Sequence, residues 1–190
     1  MARVAESDLV DSIFVERWSP RAFTDEPVTD AELAAVFEAA RWAPSWMNNQ
    51  PWIYLYATTP EDRQAMLSVF MDYSLAWVSK APVVGLVLAK TELEGFMGRT
   101  RDFDTGAATM SMALQANRLG LHMHLVGGIV LDAAYELTGA DRDTTEILAG
   151  FVIGRRGDPA DLPEGLRERE APNDRNPVSS FAHCGTSLPQ

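Results

Sequence analysis

Apolar residues recur along the chain with two spacings, one typical of helices and the other of strands. The clearest helical pattern covers residues 101–119, where apolar side chains occupy more than one side of the predicted helix, so we expect burial on several faces. A second helix is predicted over residues 29–42, because Thr29 with Glu32 has the form of a capping box and Pro44 follows. Shorter helical patterns cover residues 7–16, 60–70 and 132–137.

Four short apolar segments predict β-strands. They cover residues 52–56, 83–88, 121–126 and 147–153. The last segment is an unbroken apolar run, which is typical of a strand buried on both faces, so we expect it near the centre of a sheet. With the helices, these strands predict one domain of mixed α and β structure.

The chain after Gly154 departs from these patterns. Residues 155–190 are rich in proline and charged residues and show little periodicity. We interpret them as an extended C-terminal arm of a single domain, 1–190, and not as a second domain. Within the arm, residues 167–170 favour a solvated run of charges over a functional site.

Composition narrows the classes of function. The formal net charge of −11 argues against nucleic acid or an anionic membrane as a partner. No apolar segment approaches the length of a transmembrane helix, and residues 1–15 do not resemble a secretory signal. The single cysteine, Cys184, excludes an intrachain disulfide and favours a reducing, cytoplasmic location. An anionic ligand would require a local cluster of arginines.

Several familiar catalytic and binding motifs are absent from the sequence. It contains neither a G-x-G-x-x-G fingerprint nor a P-loop. His122 and His124 have the spacing to face one way on a strand, but no third ligand accompanies them, which favours ordinary packed histidines over a metal site. Cys184 beside His183 lacks a plausible third partner. We therefore predict no metal site and no catalytic side chain.

The first polar motif that remains lies at residues 17–21. Arg17 and Arg21 flank Ser19 in a loop stiffened by proline. Guanidinium groups form paired hydrogen bonds with phosphate oxygens, and a serine hydroxyl group completes an anion site of this kind. Taken alone, such a triplet is more common as a surface cluster of ion pairs.

Three further motifs carry groups suited to a ligand. Residues 43–52 hold hydroxyl, indole and amide groups between two prolines, which suit a flat heteroaromatic ring or a ribityl chain; the alternative is a capped loop with buried tryptophans. Gly127 and Gly128 let backbone N–H groups approach a ligand, although paired glycines also form simple turns. Arg175 precedes Asn176 and Pro177 in the arm.

Taken together, the order and spacing of these motifs resemble the nitroreductase superfamily of flavoproteins. The resemblance spans residues 17–177 and is most specific at 43–52, with further agreement at 17–21 and at 104–107. It implies an α+β, three-layer sandwich with a mainly antiparallel central sheet flanked by helices. It also implies an intertwined homodimer with two FMN sites at the interface, the long helix packed against its twin and the arm wrapped around the partner.

The resemblance also implies roles for single residues. Arg17, Ser19 and Arg21 would hold the FMN phosphate and the ribityl end or the adjacent ring edge, Trp18 would act through its backbone, and Arg175 would bind phosphate. The backbone N–H groups of Gly127 and Gly128 would face the flavin N5. The other subunit would contribute Pro44, Ser45, Trp46 and Asn48.

The implied activity is a ping-pong transfer of hydride from NAD(P)H, through flavin N5, to a small electron-poor acceptor such as a nitroaromatic or a quinone. Such chemistry needs no protein nucleophile. Two alternatives remain open on the same scaffold. One is another flavin reaction, such as dehalogenation, substrate oxidation or flavin breakdown, and the other is a flavin-binding protein without catalytic activity.

The sequence departs from the family pattern in three places. Residues 91–101 leave little room for the helical excursion that covers the site in larger members, so we predict an open pocket with Phe96 and Met97 as lid residues. Bulky Trp46 and Met47 are expected to narrow the acceptor site. Asn173 stands where some members carry a lysine.

Overall fold

A four-stranded antiparallel sheet forms the centre of the computed structural model, which describes residues 3–92 and 100–187. The strands are β1 (Trp52–Ala57), β2 (Val83–Lys90), β3 (His122–Val126) and β4 (Thr145–Gly154). Their order across the sheet is β1-β2-β4-β3, and every neighbouring pair is antiparallel. The four predicted strands and the internal position of the last one are confirmed, and β3 lies at an edge.

Seven α-helices lie in the described part of the chain: α1 (Ser12–Glu16), α2 (Asp30–Arg41), α3 (Pro60–Leu67), α4 (Asp72–Val78), α5 (Thr100–Arg118), α6 (Leu131–Thr138) and α7 (Glu164–Arg167). The capping box is confirmed, since the Thr29 hydroxyl accepts the Glu32 N–H and the Glu32 carboxylate accepts the Thr29 N–H. Short 3₁₀ turns cover Trp46–Asn48, Pro159–Asp161 and Val178–Ser180. None of the described helices has both the length and the apolar character needed to cross a membrane.

Two helices are shorter than predicted. The first begins at Ser12 and not at residue 7, because the Asp11 carboxylate accepts the Ile13 N–H and caps the helix there. The third ends at Leu67, three residues before the predicted end, and Phe70 instead forms a β-bridge with Ile129. A local side-chain hydrogen bond sets the first boundary, whereas a bridge to a distant segment accompanies the second.

The sheet lies between two helical layers, as the three-layer prediction requires. Successive side chains of the central strands point to opposite faces of the sheet and join two different hydrophobic clusters. Leu86 and Val152 pack into one cluster with Trp77 of α4, whereas Phe151 and Ile153 pack into the other, which also holds buried residues of α2 and α5. The period of two along β4 therefore explains how an unbroken apolar strand serves both layers.

The long helix α5 is buried on one side only within a single chain. Ala108 and Met112 are fully buried against the sheet. On another side Phe103 is 81% exposed, and Gly106 and Met110 are also exposed. The expected packing of this side against a second copy remains a prediction, as does the wrapping of the arm, in which all described side chains from 171 to 187 are exposed.

Candidate functional site

The loop of residues 17–21, here called the arginine loop, follows α1 and is fixed by a buried carboxylate. Glu170 accepts the backbone N–H groups of Arg21 at 2.8 Å and of Ala22 at 2.9 Å. Its side chain is fully buried and lies 4.0 Å from the Arg21 guanidinium group. The prediction that 167–170 is a solvated charge run is therefore wrong for Glu170, because this carboxylate serves as the anchor of a loop 149 residues earlier in the chain.

Two histidines of β3 face the arginine loop from the other side. The His124 ring nitrogen Nδ1 lies 2.7 Å from the carbonyl oxygen of Pro20, and its ring packs on Trp77 with 4.4 Å between centroids. His122 packs edge-on against Trp18, and the Arg156 guanidinium group lies over the Trp18 ring. The loop is thus held between β3 and the chain around Glu170.

A cavity of about 240 Å³ opens beside the loop, and we call it the arginine cavity. Five arginines line it. The sequence predicts three of them for the site but not Arg3 and Arg169. No described residue that lines it is acidic. Its lining consists of Arg3, Arg17, Trp18, Ser19, Arg21, His124, Arg169, Ala171, Asn173 and Arg175.

The electrostatics of this cavity favour an anion. Burial lowers the pKa of Arg17, and the nearby charges of Arg3 and Arg175 lower it further. The Arg17 Nε atom is buried and has no hydrogen-bond partner within the described residues. The pKa of Arg3 is lowered by burial and by Arg175, with a partial offset from Asp174. An anion that enters would relieve this repulsion and offer an acceptor to the unpaired Nε atom.

A second cavity of about 270 Å³ lies next to the first, between α5 and the edge strand β3. The two cavities share Arg17, Ser19 and His124. The rest of its lining is mostly apolar or small: Gly106, Thr109, Met110, Ala113, Met123 and Leu125. We call it the helix–strand cavity. Together the two suit an elongated molecule with an anionic group at one end and a less polar body.

The glycine pair follows β3 but lines neither cavity in the single chain. Gly128 is buried, and a Cβ atom there would lie 2.4 Å from both the Tyr73 hydroxyl oxygen and the Ser74 Oγ atom. Gly127 is exposed, with nothing within 4 Å of such a Cβ atom. Gly127 is three residues beyond His124, about 10 Å along an extended strand. Packing against α4 therefore requires Gly128, whereas Gly127 is free to face a ligand.

Alanine substitutions are expected to separate these two glycines. Gly128→Ala should lower the free energy of unfolding by about 1–3 kcal/mol, because Tyr73 and Ser74 must move to admit the methyl group. Gly127→Ala should change it by about 0.5 kcal/mol or less. Urea denaturation of both variants measures the difference, and equal stability of the two would contradict the packing described here.

The loop of residues 43–52 is positioned by a buried carboxylate of α5. Asp104 accepts the Trp46 N–H at 3.0 Å, and Ser45 Oγ accepts the Gln50 N–H at 3.0 Å. Three residues, Met47, Asn48 and Gln50, have left-handed backbone with φ of 49°, 57° and 47°. Such strain at non-glycine residues costs free energy and is typical of functional loops. This loop, however, does not line either cavity of its own chain.

Comparison with known proteins identifies the family. The model of the nitroreductase family matches residues 14–94. A solved structure of an oxidoreductase containing FMN is 36% identical, aligns with 99% of this chain and 97% of its own, and superposes with a TM-score of 0.92. The chain belongs to the nitroreductase family.

Other members of the nitroreductase family are similar along most of their length. A protein of Streptomyces coelicolor, provisionally assigned as an NADH dehydrogenase/NAD(P)H nitroreductase, is 27% identical over 88% of this chain and 95% of its own. A provisionally assigned nitroreductase from Desulfovibrio desulfuricans, solved in complex with FMN, is 25% identical with a TM-score of 0.73 and aligns with 97% of this chain and 100% of its own.

Within this nitroreductase-family chain, the predicted site residues fall into three groups. Arg17, Trp18, Ser19, Arg21 and Arg175 line the arginine cavity together. The predicted residues of 43–52, and the glycine pair, lie outside it, so their roles remain predictions. The predicted lid residues, Phe96 and Met97, lie outside the described residues.

Proposed function

We propose that this protein binds FMN with its phosphate in the arginine cavity and catalyses transfer of a hydride from NAD(P)H to a small electron-poor acceptor, such as a nitroaromatic or a quinone. The observation that carries the proposal is a cavity with five arginines and no acidic lining among the described residues. It occurs in a chain whose formal net charge is −11, so background charge cannot account for it.

Three observations support FMN as the ligand. A phosphate dianion matches the excess positive charge and offers an acceptor to the unpaired Arg17 Nε atom. The adjoining helix–strand cavity provides space for the remainder of the molecule beyond Ser19 and His124. A family member that is 36% identical over nearly the whole chain contains FMN.

The protein's contribution is binding, orientation and electrostatics. FMN, when bound, supplies a ring that can accept a hydride from a reduced nicotinamide and pass electrons to a second substrate. No cysteine, lysine or carboxylate is among the described residues that line the two cavities, and the arginines, Ser19 and His124 that line them are suited to hold the ligand. Gly127 is an exposed residue beyond the end of β3, and its backbone N–H is suited to donate to the electron-rich edge of the ring.

We propose that two copies of the chain build each site. The exposed side of α5 carries Phe103 and Met110, which are apolar residues suited to an interface. Loop 43–52 is strained and rich in hydrogen-bonding groups, yet it reaches neither cavity of its own chain. A partner's copy of this loop would complete the site.

A mixed dimer is expected to show this arrangement. One subunit carries Asn48→Ala and the other Arg17→Gln, so a site shared between subunits leaves one site intact and one doubly damaged. We expect about one FMN per dimer with wild-type affinity, measured by titration of flavin fluorescence. Two weak sites per dimer would contradict the cross-subunit site, and the Asn48→Ala homodimer, with two weakened sites, is the matched control.

The function itself is tested by the visible absorption spectrum of the purified protein, recorded with FMN before and after NADH or NADPH is added without oxygen. We expect a flavin spectrum that bleaches and then returns when menadione or nitrofurazone is supplied. A bound flavin that neither nucleotide reduces would reject NAD(P)H as the donor and favour another flavin reaction. A protein that binds no FMN would reject the proposal entirely.

A further inference from the structure

His124 occupies the junction of the two cavities and has a defined hydrogen-bonding state. A carbonyl oxygen only accepts, so the 2.7 Å contact with Pro20 requires that Nδ1 of His124 carries a proton. Burial is the largest influence on His124 and lowers its pKa; the Pro20 hydrogen bond opposes this, Arg21 and Arg17 lower the pKa, and Glu170 raises it, with a net lowering. The ring is therefore neutral near pH 7, and its other nitrogen, Nε2, carries a free lone pair.

The second ring nitrogen is available to a ligand. Within the described residues Nε2 of His124 makes no hydrogen bond, and it is not among the fully buried atoms that lack a partner, so part of its surface is open. His124 lines both cavities. The five guanidinium groups nearby can only donate hydrogen bonds. His124 thus supplies an acceptor at the point where the phosphate-binding part of the site meets the rest.

We propose that Nε2 of His124 accepts a hydrogen bond from a ribityl hydroxyl group of FMN, an inference that rests on the proposed function. The ribityl chain joins the phosphate to the ring, so with the phosphate in the arginine cavity its hydroxyl groups pass the junction. His124 then makes the site selective for a phosphorylated polyol, whereas the arginines alone would accept any phosphate ester.

The test compares two ligands in two histidine variants. His124→Asn keeps an amide N–H near the position of Nδ1 but lacks Nε2, and His122→Asn is the matched control, since His122 lies on the same strand and lines neither cavity. We expect His124→Asn to bind FMN about five- to tenfold more weakly, with unchanged affinity for inorganic phosphate. Because His122 supports the arginine loop through Trp18 but lines neither cavity, His122→Asn should leave the ratio of the FMN and phosphate affinities unchanged.

Three outcomes would overturn the inference. Unchanged FMN affinity in His124→Asn would show that the proposed hydrogen bond does not form. An equal loss of affinity for FMN and for phosphate would show that His124 only holds the arginine loop. A loss of affinity for FMN alone in His122→Asn would point to a general effect of the strand. If the wild type itself bound no FMN, the proposed function would fail first, which keeps the two failures distinct.

Nitrogen NMR of histidine-labelled protein gives an independent reading. The free wild type should show His124 as the tautomer protonated on Nδ1, and added FMN should shift the Nε2 signal in the direction of a hydrogen-bonded acceptor. A proton on Nε2, in the free protein or in the FMN complex, would contradict the assigned role, because Nε2 would then be a donor.

Discussion

Replacement of Glu170 with alanine is expected to lower the free energy of unfolding by about 3–5 kcal/mol and to abolish tight FMN binding. The carboxylate is fully buried and accepts hydrogen bonds from the backbone N–H groups of Arg21 and Ala22. Its removal leaves both groups without a partner and Arg21 without its counter-charge. The arginine loop would then lose the contact that fixes its shape.

Thermal unfolding and flavin titration measure the two effects. The melting temperature should fall by roughly 6–20 °C for a chain of this length. Glu168→Ala is the matched control, because Glu168 is exposed and its substitution removes the same charge two residues earlier in the chain. A Glu170→Ala variant that melts with the Glu168→Ala variant and retains FMN would show that the buried carboxylate does not hold the loop.

The second large effect is expected at Arg17, where affinity and stability should change differently. Arg17→Gln should weaken FMN binding about 10- to 150-fold, the range for loss of a charge-assisted hydrogen bond. The free protein should be as stable as the wild type or more stable. Burial and the charges of Arg3 and Arg175 already lower the pKa of Arg17, so its positive charge is unfavourable until an anion is bound.

Arg41→Gln is the matched control for this variant. Arg41 lies on the surface of α2, where it pairs with Glu38, so its loss changes the net charge equally. Isothermal titration with FMN should show wild-type affinity for Arg41→Gln. Urea denaturation measures the stability of both free variants. Equal losses of FMN affinity in the two variants would show that Arg17 acts only through the overall charge of the protein. A free Arg17→Gln variant less stable than the wild type would contradict the proposed repulsion among Arg17, Arg3 and Arg175.

The sequence predicts most of the elements because their signals are local. The capping box at Thr29, the period of the long helix and the unbroken apolar run of β4 each depend on residues close together in the chain. The face of the histidine pair also follows from local geometry, since residues two apart on a strand point the same way. Arg17, Ser19 and Arg21 also lie within one short motif, but only its combination with the other motifs and the family resemblance marks it as a binding site.

The groups that position the site are not predictable in this way. Glu170 contacts a loop 149 residues away, and Asp104 binds a backbone N–H group 58 residues away. Each appears in the sequence as an ordinary charge, one in an apparently solvated run and one near the start of a helix. Arg3 and Arg169 likewise belong to no motif, and only the fold brings them beside Arg17.

The central claim is that the arginine cavity binds the phosphate of FMN. The most direct test compares the affinity of the wild-type protein for FMN with its affinity for riboflavin, which is the same molecule without the phosphate. We predict that FMN binds at least about 100-fold more tightly, equivalent to two charge-assisted hydrogen bonds, and that added salt reduces the preference. Equal affinity for the two flavins would contradict the claim.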